Sequence, residues 1–192
     1  NSEIFPEEKA AYRKNLEIFA RDAATRIQKR AKETKSEDEF RQAILAYEAY
    51  LSYFQEPNKM TNTILLNLGE TYFNLSEFVK AGVVYEKLFQ QLNSAGSIKR
   101  FMDSSLQAYI TALKNPALLS RLELTQARHG VRAVGKEFLA KYPRDKAVAN
   151  IQFTIARSLY DERAFDDAVA EFKTFLNRYP SHSEAEVAAN LI

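Results

Sequence analysis

One internal repetition restricts the fold of this chain more than any other feature. The segment NTILLNLGETYFNLSEFVKAGVVYEKLFQQLN (62–93) superposes without gaps within AVANIQFTIARSLYDERAFDDAVAEFKTFLNRYP (147–180) when Gly69 is set on Ala156. Leu68 then meets Ile155, Phe78 meets Phe165, Ala81 meets Ala168, Tyr85 meets Phe172, Leu88 meets Phe175 and Phe89 meets Leu176. Apolar residues recur at three- and four-residue intervals, the spacing of a helix that buries one face. Each window is expected to divide into two helices, near Ser76 in the first and near Arg163 and Ala164 in the second. A small residue on each helix (Gly69 with Ala81, Ala156 with Ala168) allows close approach, and the aromatic side chains fill the remaining space. A helix pair of this size is stable only when stacked on neighbours, so an array is expected.

Other stretches carry degraded forms of the pattern. Ala31, Phe40, Ala43, Tyr47, Tyr50 and Leu51 match an earlier copy, shifted by 38 residues between Ala43 and Ala81, which places extra residues around Pro57-Asn58-Lys59. Between the two clear copies lies an enlarged unit. Ile98, Phe101, Met102, Leu106, Tyr109, Ile110 and Leu113 mark its first helix; Leu119, Leu122, Ala127, Val131, Val134 and Phe138 mark an unusually long second one. It closes on FLAKYP, as the later unit closes on FLNRYP. Ser36 with Glu39, and Ser183 with Glu186, have the spacing of capping boxes at helix starts.

Composition supports helix. Gly and Pro number five each, too few for a fold of short strands and tight turns. With no cysteine, disulfides, thiolate catalysis and Cys-ligated metals are excluded. No run reaches the roughly 18 to 20 apolar residues of a membrane span. The chain begins at Asn1 without Met or a basic-then-apolar leader, which suggests a processed or excised segment, and the array is expected to be cut short at Ile192.

The register Leu68, Gly69, Tyr72, Phe78, Ala81, Tyr85, Leu88, Phe89, matched by Ile155, Ala156, Leu159, Phe165, Ala168, Phe172, Phe175, Leu176 and Pro180, resembles the tetratricopeptide repeat, a helix-turn-helix unit of about 34 residues. Leu65 and Gln152 depart from it, standing where the repeat usually has an aromatic residue, as does Asn93 at the position of Pro180. The resemblance implies an all-α, right-handed superhelical array of antiparallel helix pairs, an α-solenoid. The resemblance covers roughly residues 24 to 192, and the chain, 1–192, is expected to be one array, with units at about 24–57, 62–95, 96–148 (enlarged) and 149–182, and a further unit starting at 183–192. The endings Phe-Leu-x-x-Tyr-Pro are most similar to repeats of bacterial cell-envelope proteins, such as outer-membrane assembly lipoproteins and the Tol-Pal-associated coiled-coil protein.

In this family the concave face comes from the first helix of each pair. That implies a partner-binding groove of Thr63, Leu66, Glu70, Phe73 and Asn74, then Asn150, Phe153, Arg157, Tyr160 and Asp161. The competing expectation packs these residues against neighbouring helices. Asn67 has the residue type of a chaperone-binding carboxylate clamp, but Gln28 and Lys32 do not complete one. Net charge is only +2, yet residues 96–148 hold 10 basic against 4 acidic side chains. Arg121, Arg128, Arg132 and Lys136 form a stripe on the long helix, suited to an acidic protein or lipid headgroups, or simply solvated. Arg26, Lys29, Arg30 and Lys35 form a lesser, solvated cluster.

Catalytic patterns are scarce. His129 and His182 are far apart without ligand spacing, and neither a Gly-rich phosphate loop nor Gly-x-Ser-x-Gly occurs. The expectation is a non-catalytic scaffold without cofactor or metal, binding a protein or peptide in a periplasmic or outer-membrane-associated assembly, with peripheral envelope association and contacts to other domains of the same chain. A cytoplasmic adaptor, a secretion chaperone or the accessory region of an enzyme are the alternatives. Nucleic acid ranks last, because pI and net charge are mild.

Overall fold

The structure is a computed structural model and describes residues 6–192. The described residues form α-helices joined by short turns, with a 3-10 turn at Pro116–Leu118. They fall into two compact units, Asn1–Gln91 and Leu92–Ile192. In the first unit, α1 (Pro6–Thr34) pairs with α2 (Glu37–Tyr53), and α3 (Lys59–Asn74) pairs with α4 (Phe78–Gln90). The second holds α5 (Ala95–Leu113) with α6 (Arg121–Lys141), then α7 (Val148–Asp161) with α8 (Phe165–Arg178), and a short α9 (Ala185–Asn190). Consecutive helices pack on one another within each unit, so the chain is an all-α array of sequentially packed helix pairs.

The turns explain why the two best copies align without gaps. Ser76 (φ 60°) and Arg163 (φ 64°) stand in the left-handed region at equivalent positions. The Glu77 amide donates to the Tyr72 carbonyl (2.9 Å) and the Ala164 amide to the Leu159 carbonyl (3.0 Å), the six-to-one bond of a Schellman stop. Just across each turn one ring leans edge-on against another: Phe73 on Phe78 (5.0 Å) and Tyr160 on Phe165 (5.4 Å).

A second repeated device ends the second helix of three pairs. Phe54, Tyr142 and Tyr179 leave the helix with φ between −115° and −135°. Each amide still donates to the carbonyl four residues back, and each ring packs on the aromatic side chain there: Phe54 on Tyr50 (4.8 Å), Tyr142 on Phe138 (5.1 Å), Tyr179 on Phe175 (5.7 Å). Pro143 and Pro180 follow directly and block helical continuation. FLAKYP and FLNRYP are thus stop signals built from a buried ring, a stacking ring and a proline.

The expected small residues do approach their neighbours. A Cβ added to Gly69 would lie 2.6 Å from the Tyr85 ring. The middle pair uses the same device with the roles exchanged: Gly130, on the second helix, sits beneath Tyr109 of the first, where a Cβ would fall 2.3 Å from the ring. Ala31, Ala81, Ala156 and Ala168 are fully buried.

Some expectations need correction. Ser36 accepts the Glu39 amide (3.3 Å), but Glu39 does not reach back; its carboxylate takes the Thr34 hydroxyl (2.6 Å) and the Arg30 guanidinium (2.6 Å). The second box is absent, since α9 begins after Glu184, whose amide donates to His182 Nδ1 (3.2 Å). Complete boxes form instead at Asn58 with Thr61 and at Ser120 with Glu123. Leu122, expected in the core stripe, is 77% exposed because it lies on the first turn of α6, beyond the part that packs. Phe165 is half exposed, as one of its faces serves only Tyr160.

Candidate functional site

The candidate groove residues divide between the two units. On α3, Thr63 and Asn74 are exposed, while Leu66, Glu70 and Phe73 are half-buried. These residues are positioned by a polar tie beneath them. Gln28 of α1 is 4% exposed, and its amide nitrogen donates to the Asn67 carbonyl (3.0 Å) and the Thr71 hydroxyl (2.9 Å), while its oxygen accepts from Tyr47 (3.0 Å). Every one of those groups is satisfied, so the tie fixes α1, α2 and α3 in register without leaving an orphan polar atom. Burial raises the Tyr47 pKa above the ordinary tyrosine value and keeps the phenol a neutral donor. Gln28 therefore belongs to the interior.

One turn further along, Lys32 of α1 reaches Glu70 of α3 (3.0 Å). This pair stands on the edge of a cleft of about 780 Å³. Phe40, Phe73, Leu75 and Tyr85 supply its apolar surface; Lys32, Lys35, Glu37, Glu70, Asn74 and Ser76 supply its polar one. Three residues named from the sequence, Glu70, Phe73 and Asn74, line it together, whereas Thr63 and Leu66 do not. The carboxylates are already engaged: Glu70 holds Lys32, and Glu37 holds Arg41 (2.7 Å), which also reaches Glu77 (3.0 Å). Lys35 pairs with no carboxylate among the described residues and occupies the left-handed position (φ 54°) that ends α1. The cleft thus offers an aromatic surface, an amide at Asn74 and an uncommitted cation.

Sequence reasoning does not find Lys35, Phe40 and Tyr85 as lining residues. Phe40 and Tyr85 are core positions of the register, and periodicity reports that they are buried without reporting which side of them is open. By sequence Lys35 falls among solvated charges. The available signal is its place in the turn between two helices, where tethering by backbone geometry replaces tethering by a partner.

In the second unit the corresponding residues are more self-contained. Phe153 packs on Phe172 (5.9 Å) and Phe175 (5.5 Å), so its ring joins the core that contains Ala156 and Ala168. Arg157 pairs with Asp161 one turn on (3.0 Å), and Tyr160 covers Phe165. Asn150 is exposed at the start of α7.

The basic stripe on α6 is not uniform. Arg121 and Lys136 are exposed. Arg132 turns to α7 and its flanking turn, pairing with Glu162 (2.7 Å) and reaching Ser158 (3.4 Å). The Arg128 Nε is buried without a hydrogen-bond partner among the described residues. Elsewhere in the basic segment, Lys99 bridges Asp103 (2.9 Å) and Asp145 (3.0 Å) beside the rings of Phe138 and Tyr142. The Ala147 amide, and then Lys99, hold the Asp145 carboxyl below the usual carboxylate range. Two of the ten cations of 96–148, Lys99 and Arg132, therefore tie one element to another.

His182 is partly covered, edge-on to Phe175 (5.3 Å), while His129 is exposed on α6. Among the described residues, no three His, Asp or Glu side chains group as a metal site, and no helix is long and apolar enough to cross a membrane.

No family model matches the chain, and no curated protein sequence matches it. Among solved structures it is similar to nearly identical TPR-like repeats described as a putative kinesin light chain of Podosopora anserina, at 13% identity and a TM-score of 0.46, over 90% of this chain and 81% of that one. A variant form of the same repeats is similar at 13% identity and a TM-score of 0.45, with the same coverage.

Proposed function

We propose that this chain is a non-catalytic protein-interaction scaffold that captures a segment of a protein partner in the cleft formed by the ends of α1 and α3 with the turns that follow them, the start of α2 and Tyr85 of α4. The observation that carries this reading is the convergence of Phe73, Asn74 and Glu70 with Phe40, Tyr85 and Lys35 around one open space. An aromatic surface gives affinity to a large apolar side chain, and a polar edge fixes its orientation. The uncommitted Lys35 favours a segment in which that apolar residue is followed by a carboxylate.

The setting we propose is a cell-envelope assembly, periplasmic or attached to the outer membrane; its support is the similarity of FLAKYP and FLNRYP to envelope repeats. Thr63 and Leu66 would extend the contact along α3. On the second unit, Asn150, Phe153, Arg157, Tyr160 and Asp161 would form a separate, weaker surface. The stripe of Arg121, Arg128, Arg132 and Lys136 is a secondary surface, supported at its two exposed ends.

Selection of random peptides on the immobilised chain tests the cleft. The expected result is enrichment of an aromatic or large aliphatic residue next to Asp or Glu. Binding of those peptides falls at least tenfold in Phe73→Ala and several-fold in Lys35→Glu, with helicity unchanged. Peptides that bind both variants as well as wild type would contradict the assignment.

A further inference from the structure

The first half of α1 carries an apolar stripe that no described residue of the unit covers. Tyr12, Leu16 and Phe19 are 66%, 59% and 67% exposed. At about 100° per residue they share one helix face. Arg21, Gln28 and Lys32, which reach Met60, Thr71 and Glu70 of α3, lie on nearly the opposite face. Ala24 and Ala31 are buried on a third. Tyr50 of α2 donates to Glu17 (2.7 Å), which brings the end of α2 alongside this part of α1, and there Tyr53 is 75% exposed. This part of α1 and α2 thus bears three exposed aromatic rings and an exposed leucine.

We infer that this face is the dimer interface of the chain, with α1 of one copy lying parallel and side by side with α1 of a second. Two observations select that occupant. The stripe is flanked on one side by Glu8 and by Asp22, which is paired with Arg21 of its own helix, and on the other by Lys9 and by Arg13, which also lines a hollow with Glu17, Phe54, Glu56 and Asn58 of its own unit. Parallel copies set unlike flanks together, with Glu8 of one copy opposite Arg13 of the other; antiparallel copies would set like against like. The area is also sufficient. Four large side chains, each about two-thirds exposed, offer roughly 500 Å² per copy, or about 1,000 Å² for the pair, which reaches the size of specific interfaces.

Sedimentation equilibrium on the whole chain, at about 1 to 100 μM, tests this. The expected result is a reversible dimer in wild type and a monomer in Leu16→Glu/Phe19→Glu, whose circular dichroism is unchanged because both side chains are exposed. Arg13→Glu weakens the dimer several-fold, and Glu8→Arg/Arg13→Glu restores it. The chain has no cysteine, so Tyr12→Cys reports geometry cleanly: parallel pairing sets the two sulfurs near each other and gives a disulfide-linked dimer on mild oxidation. A wild-type monomer throughout the range, a dimer that survives Leu16→Glu/Phe19→Glu, or no rescue by the charge exchange would each overturn the inference.

Discussion

The α3–α4 and α7–α8 pairs are two versions of one unit, and they differ on the surfaces that a partner would touch. Both end their first helix on a left-handed non-glycine residue, both close with a six-to-one hydrogen bond, and both lean one ring edge-on against another across the turn. Their surfaces diverge. Near the end of α3, Phe73 and Asn74 line an open cleft, and Glu70 is held by a lysine from another helix. On α7 the equivalent of Glu70 is Arg157, tied to Asp161 of its own helix, and Phe153 is drawn into the core. The turn and the buried small residues set the frame, while the residues on the outer faces of the first helix are free to change.

Breaking the shared frame should have the largest effect. Ala81→Arg and Ala168→Arg each force a long cation into a fully buried site, and each is expected to cost several kcal/mol and lower the thermal midpoint sharply. Urea unfolding followed by circular dichroism checks this. If either variant unfolds at the wild-type midpoint, the two pairs are not built alike.

The next effect separates the pairs. A glycine inside a helix is normally improved by alanine, by up to about 1 kcal/mol. Gly69→Ala should instead destabilise by about 1 to 3 kcal/mol, because its Cβ would meet the Tyr85 ring at 2.6 Å. Ala156 already carries a Cβ, so the α7–α8 pair accommodates at this position what α3–α4 excludes. A more stable Gly69→Ala protein in the same unfolding assay would remove the close-approach argument.

These first outcomes bear on how much could be read from the chain. Helix pairs, their order and most of the core were legible, because Ala31, Ala81, Ala156, Ala168, Phe172 and Phe175 are set by local spacing and steric need. Residues whose role depends on a partner far along the chain were not. Gln28 is a polar residue in a helix rich in charge, and only the approach of Tyr47, Asn67 and Thr71 makes it an interior tie. By spacing, Arg132 is one of four equivalent cations; Glu162, 30 residues on, makes it a tie between helices. Glu70, Phe73 and Asn74 were named because the resemblance implies that their positions line a groove, and they do line a cleft; Lys35 and the open sides of Phe40 and Tyr85 depend on the volume enclosed between helices, which no spacing encodes.

A smaller difference between the pairs lies one turn before Gly69 and Ala156. Leu65 is buried in α3, while its counterpart Gln152 is buried in α7 with its side-chain oxygen unpartnered among the described residues. A buried acceptor left unpaired costs about 1 to 3 kcal/mol, so Gln152→Leu should stabilise the chain by about 1 kcal/mol. Leu65→Gln should destabilise by at least as much. Thermal melts of the two variants sharpen the comparison, and a stabilising Leu65→Gln would reverse it.

The smallest effect is expected in the turns and should be equal in both. Ser76→Gly and Arg163→Gly relieve a left-handed conformation that costs an L-residue roughly 1 to 2 kcal/mol, offset in part by the greater freedom of glycine when unfolded. A gain of about 0.5 to 1 kcal/mol in each is expected from urea unfolding. A gain in one and a loss in the other would show that the turns are not equivalent.

The most direct test of the account places a photo-crosslinking amino acid at Asn74, in the cleft, and separately at Asp161, its equivalent on the self-paired α7 surface, and irradiates each with the selected peptide. The account predicts efficient crosslinking from residue 74, abolished by Phe73→Ala, and little from residue 161. Equal crosslinking from both, or crosslinking only from 161, would contradict the claim that the cleft of the first unit holds the partner.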